Sequence, residues 1–297
     1  MTRGPGAQTP TAQQPAWRER RPGSTRRMNP RDTAVSESVA CQKCEVDIPG
    51  EEFIENSKVC PACGFHHPLT ARERVALLTD SGSFEEFADD LYSVDFLEFP
   101  RYAQRLETYR ERTGLPSEMV TGSCAIGGCD AVIGVTDMHF IMGSMGSVVG
   151  EKITRCFELG IERGLPVVIV SGSGAGARMD EGTVALMQMA KTSSAVRKHS
   201  DAGLFYISVV TNPTMGGTAA SFVTLGDVIM SEPAAMIGFA GPRARAAIGE
   251  KMPPDAQSAE VLMANGMLDM VVPRSEMRGT LTDLLCFVAN KPPSASF

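Results

Sequence analysis

The strongest constraint on this 297-residue chain is a pattern that occurs twice in succession between Pro166 and Met230. An apolar run, a Gly-rich turn and a helical segment follow one another, and then the same three elements recur. Pro166-Val167-Val168-Ile169-Val170 leads into Ser171-Gly172-Ser173-Gly174-Ala175-Gly176-Ala177-Arg178-Met179, and a helix is predicted over about Gly182 to His199. Leu204-Phe205-Tyr206-Ile207-Ser208-Val209-Val210 leads into Thr211-Asn212-Pro213-Thr214-Met215-Gly216-Gly217, with a second helix from about Thr218. Short β-branched runs bounded by Gly and Pro read as buried strands, and the longer segments between them as helices. The pattern is that of an α/β fold. Its two strand-to-helix turns also present backbone N–H groups at helix N-termini, where anions or developing negative charge are stabilised.

The length allows one large domain and a small appendage. A net charge of -7 argues against a nucleic-acid binder, whose affinity for phosphate comes mainly from clustered Lys and Arg. No run of 18 apolar residues exists, so no membrane span is expected. The N-terminus lacks an apolar core of the kind a signal peptide needs, so a cytoplasmic protein is expected. In that setting eight cysteines favour metal or free thiols over disulfides.

Four regions follow in order. Residues 1–38 are rich in Pro, Gly, Gln, Thr and Arg and cannot bury enough apolar surface to offset their ordering entropy, so a disordered tail is expected. It carries the only Trp, Trp17, and a basic cluster of Arg18, Arg20, Arg21, Arg26 and Arg27. The cluster reads either as a docking arm or as a dispensable extension, with Met28 the true start. Residues 39–67 hold Cys41-Gln42-Lys43-Cys44 and, fifteen residues on, Cys60-Pro61-Ala62-Cys63. Each C-x-x-C lets two thiolates from one tight turn reach one ion, and four thiolates suit tetrahedral zinc. A zinc ribbon with a closed, structural site is predicted; a redox dithiol, or His66 or His67 replacing one ligand, is the alternative. Five acidic residues (Glu45, Asp47, Glu51, Glu52, Glu55) against two lysines make this ribbon a poor nucleic-acid surface.

Residues 68–118 read as a helical collar, opened by the capping box of Thr70 and Glu73 and continuing from Ser83 towards Tyr109. Residues 119–297 form the main domain. It starts with a hairpin, Val120–Ile126 and Ala131–Thr136 about Gly127-Gly128, and a strand through Met138-His139-Phe140-Ile141. The next helix, with Ser147 as its cap, carries Val149, Ile153, Phe157 and Ile161 as a packing stripe. His139 reads as a satisfied core or surface histidine, and Cys124, Cys129, Cys156 and Cys286 as buried thiols. Two short strands, Asp227–Met230 and Ala235–Phe239, and two helices complete the chain.

Three kinds of site use turns like these. Gly172 to Ala177 fits G-x-G-x-x-G/A, yet no acidic residue lies from Gly182 to Ser200, where a dinucleotide fold needs one for the ribose. A hydrolase built on Ser171 or Ser173 needs G-x-S-x-G, and the residues two before them are Ile169 and Ser171. The third reading, a pair of oxyanion-binding turns, fits.

At this point five motifs carry a resemblance. Cys41 to Cys63 with Thr70-Ala71-Arg72, Ser144-Met145-Gly146-Ser147-Val148-Val149-Gly150, Leu186-Met187-Gln188-Met189-Ala190-Lys191-Thr192-Ser193, Pro213-Thr214-Met215-Gly216-Gly217 and Ile237-Gly238-Phe239-Ala240-Gly241-Pro242-Arg243 occur in one order. Over about residues 39 to 290 the chain resembles the beta-subunit family of bacterial acetyl-CoA carboxylase carboxyltransferases. The resemblance implies a crotonase-like (ClpP/crotonase) spiral fold behind one structural Zn2+, and transfer of a carboxyl group from carboxybiotin to acetyl-CoA. It implies a separate alpha subunit in an assembly of two alpha and two beta chains, with biotin carboxyl carrier protein and biotin carboxylase as further partners. Gly216 and Gly217 match the family's oxyanion pair, and Gly174, Gly176, Ala177, Arg178 and Met215 are expected to line the acyl-CoA pocket. Three features depart from the family: the Gly174–Arg178 turn is one residue longer, Met142-Gly143 replaces two glycines, and Ala244 to Gly249 lacks polar and acidic residues.

Overall fold

The computed structural model describes residues 38–241 and 255–289, with Gly249 and Pro253. The basic tail with Trp17, and most of the Ala244–Gly249 segment, lie outside the described residues.

The ribbon is a two-stranded antiparallel sheet, β1 (Ser38–Ala40) and β2 (Asp47–Pro49), followed by α1 (Gly50–Glu55). Its small core is Ile48 and Phe53 packed with Cys41 and Cys60. The predicted capping box then forms. Thr70 Oγ1 accepts the N–H of Glu73 (3.2 Å) and the Glu73 carboxylate accepts that of Thr70 (2.8 Å), starting α2 (Ala71–Leu78).

The collar is less helical than its sequence implies. Phe84 tucks its ring beneath Gly122, and Glu85–Glu86 form β3 on the edge of the sheet. The chain then runs irregularly, with Ala88, Glu98 and Arg101 at positive φ, before α3 (Tyr102–Thr113). Pairing with an open strand edge has overridden a local helical preference worth only tenths of a kcal/mol per residue.

The main sheet has eight strands. β4 (Met119–Ile126) and β5 (Cys129–Thr136) make the predicted hairpin. β5 then runs parallel to β6 (Val167–Ser173), β6 to β7 (Tyr206–Met215), β7 to β8 (Val228–Ser231) and β8 to β10 (Met270–Val271). β9 (Ile237–Gly238) pairs only with the end of β7. Met138–Ile141, expected as a strand, is instead a turn entering a 3-10 segment, Ile141–Gly143. Asp137 causes the bend: Oδ1 accepts the N–H of His139 (2.8 Å) and lies 3.0 Å from its ring, and Oδ2 accepts the N–H of Ala71 (2.8 Å).

α4 (Ser147–Arg163) and α5 (Gly182–Asp201) pack together on one face of the sheet. Val149, Ile153 and Phe157 are buried as expected, but Ile161 is exposed. On the other face lie Met277, Leu281 and Leu285 of α8 (Arg274–Ala289), which packs with α2. The short α6 (Gly216–Ala219) follows β7 directly, and α7 (Ala259–Ala264) precedes β10. Each fully buried Val, Ile, Leu or Phe contributes about 1.5–3 kcal/mol, so this two-sided core carries most of the stability.

What positions the site is an irregularity in β6. Its register against β7 shifts between Ser171 and Ser173, so Ser173 pairs with Thr214 beyond the shift. Hydroxyls fill the gap: Thr211 and Thr214 donate to Ser171 O (2.9 and 3.0 Å), and Thr136 Oγ1 accepts the N–H of Gly172 (2.6 Å). Both strands thus leave the sheet together, and their Gly-rich turns emerge side by side.

Candidate active site and metal centre

The four cysteine sulfurs lie within 4.8 Å of one another, the only such ligand group found among the described residues. Cys41 and Cys63 Sγ are 3.7 Å apart, as are Cys44 and Cys60. Four sulfurs at about 2.3 Å from one tetrahedral zinc are separated by about 3.8 Å, so the donor set fits that ion. Both C-x-x-C turns share one backbone design. Cys41 N–H donates to Val46 O and Glu45 N–H to Cys41 O; Cys60 N–H donates to Phe65 O and Gly64 N–H to Cys60 O. Neither histidine belongs to the four-sulfur group. His66 faces Gly64 O through Nδ1 and accepts the N–H of Arg274 through Nε2, and burial keeps its pKa low; His67 packs edge-on against Phe53 and Phe65.

A buried ion cluster binds the ribbon to the main sheet. Arg274 donates to both carboxylate oxygens of Glu232 (2.8 and 2.9 Å) and to the carbonyls of Ser57 (2.6 Å) and His67 (3.0 Å). Arg74 of α2 reaches the same Glu232 at 2.6 Å. Burial opposes the Glu232 charge, but the two arginines outweigh it and hold the carboxyl down to about 2.

The two Gly-rich turns meet at Gly176 and Gly216. Gly176 has φ +63° and Gly216 +62°, and a Cβ on Gly176 would lie 3.0 Å from Gly216 Cα and 3.1 Å from Gly217 N. Only glycine permits both the left-handed backbone and this approach. Gly217 differs: its φ is not positive, and a Cβ there would meet Met189 Sδ at 3.0 Å and Ala177 Cβ at 3.3 Å, with Ala177 N at 3.5 Å. Gly216 and Gly217 open α6, whose first-turn amides have no acceptor inside the helix. Met215, expected at the ligand, is buried at the cap of that helix.

The other expected loop residues divide in two. A parallel bridge joins Met145 to Ala177, and it uses Gly176 O and Arg178 N. The N–H of Ala177 itself is therefore directed to the opposite side of the loop, where Gly217 stands. Gly174 spends its N–H on Met142 O (2.9 Å), and Met138, Met142 and Pro213 cover the side where its Cβ would be. Met142, the residue in place of a glycine, sits at φ 55°, which explains why glycine suits that position.

Arg178 is committed to partners other than the Gly216–Gly217 turn. Its guanidinium is buried and donates to Ser144 Oγ (2.9 Å), Ser144 O (3.2 Å), Tyr102 Oη (2.9 Å) and Ser93 Oγ (3.3 Å). Glu118 lies 2.5 Å from Nη2 as an ion contact outside hydrogen-bond geometry, and Glu181 3.4 Å from Nη1. The side chain expected to line the acyl-CoA pocket is thus buried among partners that are mostly remote in sequence. The carboxylates following the turn are also committed, Asp180 to Arg105 (2.6 Å) and Glu181 to Tyr102 and the Ser147 N–H (both 2.6 Å).

Comparison with known proteins gives the family and the fold. The carboxyl transferase domain family matches residues 67–292. The acetyl-coenzyme A carboxylase carboxyl transferase subunit beta of Desulforamulus reducens is 49% identical over 248 residues, spanning 83% of this chain and 86% of that protein. Its counterpart in Syntrophomonas wolfei is 48% identical over 252 residues, 84% and 89% of the two chains. Among solved structures, a transcarboxylase 12S hexamer with methylmalonyl-coenzyme A and methylmalonic acid bound matches at TM-score 0.64 and 25% identity, over 80% of this chain and 43% of that one. The Pseudomonas malonate decarboxylase MdcD-MdcE hetero-dimer shares the fold, at TM-score 0.58 and 22% identity, over 76% and 88% of the chains.

Fold and site together define a crotonase-like carboxyltransferase behind a four-cysteine ribbon. Within that class the chain belongs to the family of acetyl-coenzyme A carboxylase carboxyl transferase beta subunits.

Proposed function

We propose that this chain transfers the carboxyl group of carboxybiotin to acetyl-CoA, giving malonyl-CoA and free biotin. The observation that carries the reading is the contact between the two Gly-rich turns, which brings Ala177 N and the start of α6 to one spot. Removing a proton from the thioester α-carbon moves charge onto the carbonyl oxygen. Backbone N–H groups already aimed at that oxygen lower the barrier by roughly 3–4 kcal/mol per donor, because they need not reorient as charge develops. Gly216, Gly217 and Ala177 supply them here. Since Asp180 and Glu181 are held in ion pairs and hydrogen bonds, neither serves as the base. Biotin, once its CO2 has left, offers a ureido nitrogen that takes the proton.

The ribbon ion is zinc in this reading, and its role is structural because four protein ligands close the site. The acceptor side is built here, and the biotin side belongs to a carboxyltransferase alpha subunit, in an assembly of two alpha and two beta chains. Biotin carboxyl carrier protein delivers the carboxyl group and biotin carboxylase loads it. Exposed Met179, Leu186 and Met187 about α5, and Phe239 beside Gly216, support a partner on this side, since large apolar groups cluster where surfaces are covered. No helix among the described residues is long and apolar enough to cross a membrane, and a cytoplasmic location is part of the same proposal.

Co-expression with carboxyltransferase alpha subunits, followed by malonyl-CoA-dependent carboxylation of biocytin, tests the reading. The complex should turn over and the chain alone should be nearly inactive. Robust transfer by the isolated chain would refute the division of labour, and no transfer with any alpha subunit would refute the reaction.

A further inference from the structure

We infer that Tyr102 and Arg178 are positioning residues, which hold the Gly176–Ala177 backbone against Gly216–Gly217 from behind. The inference rests on the carboxyl-transfer reading and assigns a part in it to α3, a helix with no evident chemistry in its sequence.

Arg178 ends the first Gly-rich turn, and its side chain passes directly into a sealed polar cluster. Tyr102, Glu118, Ser144, Arg178 and Glu181 are each at most 2% exposed. Tyr102 Oη accepts from Arg178 (2.9 Å) and donates to Glu181 Oε1 (2.6 Å), so one hydroxyl joins the loop to the carboxylate that caps α4. The other oxygen of that carboxylate accepts the N–H of Ser147, the first residue of α4 (2.6 Å). Ser144 accepts from Arg178 through both Oγ and O, and the next residue, Met145, makes the bridge to Gly176 and Arg178. The loop is therefore fixed twice, by backbone pairing along one edge and by the guanidinium beneath.

Each charge has an opposite partner. Arg178 faces Glu118 and Glu181; Lys152, whose Nζ donates to Met119 O (2.7 Å), lies near Glu86 and Glu118, and the N-terminus of α4 favours Glu181. Burial works against the Arg178 charge, and Glu118 followed by Tyr102 more than restores it. Burial likewise raises the Tyr102 phenol, which stays a neutral donor. A buried ion cluster adds little net stability over an apolar one of the same volume, because desolvation cancels most of the attraction. What it provides is direction. A guanidinium has five donors in a rigid plane, and most are aimed here at fixed acceptors. Oxyanion donors need such rigidity, since a shift of about 1 Å costs roughly 10²-fold in rate.

The test uses Tyr102→Phe, which removes one oxygen, in the complex with the alpha subunit. Hydrogen exchange should speed up about tenfold in residues 174–179 and 144–147 and stay unchanged in β5 and β7. The kcat should fall roughly tenfold, KM for malonyl-CoA should move less than twofold, and the melting temperature by only a few degrees. Ser144→Ala should show the same split, and serves if the phenylalanine variant does not fold. Unchanged exchange in the loop overturns the clamp, and faster exchange with unchanged kcat overturns its role in positioning. An inactive parent complex would instead count against the carboxyl-transfer reading, while the exchange measurement still decides whether the clamp exists.

Discussion

At the scale of the residue, the chain relies on a few buried charges whose value lies in what they connect. Glu232 is the clearest, with Arg74 and Arg274 both bonded to it. Its carboxyl is held down to about 2, against an ordinary 4.5. Between those values the unfolded chain binds more protons than the folded one. The stability Glu232 contributes is therefore fully present above about pH 5 and is lost as pH falls towards 2. Urea midpoints followed from pH 7 to pH 3 should drop steeply below about 4.5. Glu232→Gln should cost roughly 3–5 kcal/mol at neutral pH, because two arginines lose their counter-charge, and should flatten that drop. A variant with the parent's midpoint and pH profile would show the cluster to be energetically idle. None of this was legible in the sequence, where Arg74, Glu232 and Arg274 are separated by 158 and 42 residues. Separation in sequence also hid the inward course of Arg178, whose partners Ser144, Tyr102 and Ser93 lie 34, 76 and 85 residues away, whereas Gly176 and Gly216 stand in Gly-rich runs that the sequence displays.

At the scale of the element, local rules served wherever the chain is its own context. The capping box of α2, the β4–β5 hairpin, α4 and α5 form where periodicity and turn residues place them, although Ser147 is the first residue of α4 and not its cap, its N–H being taken by the remote Glu181 carboxylate. They fail at 83–101 and at 138–141, where a strand edge and the Asp137 carboxylate capture the backbone. The ribbon is an element of both kinds: its cysteine spacing announces it, but its attachment to α8 does not. Cys60→Ser should release the ion, since small ribbons draw much of their folding free energy from it. It should also lower the melting temperature of the main domain, because Arg274 loses its acceptors at Ser57 and His67. Metal analysis beside a melting curve checks both. One zinc per chain retained in the variant would contradict the ligand set, and metal loss with an unchanged melt would contradict the coupling.

At the scale of the whole molecule, the fold takes two parallel strands out of one sheet together and so brings their turns into contact. That contact is the central claim, and Gly217 is where it can be tested without disturbing the fold. Its backbone does not need glycine, and a methyl there would meet the flexible end of Met189 while standing over Ala177 N. The deciding measurement is steady-state kinetics of Gly217→Ala in the complex with an alpha subunit, with melting and complex size recorded alongside. Because the oxyanion forms fully only in the transition state, kcat should fall roughly 10²-fold with KM for malonyl-CoA changed far less. A variant that melts and assembles like its parent and keeps the parent's kcat would contradict the account.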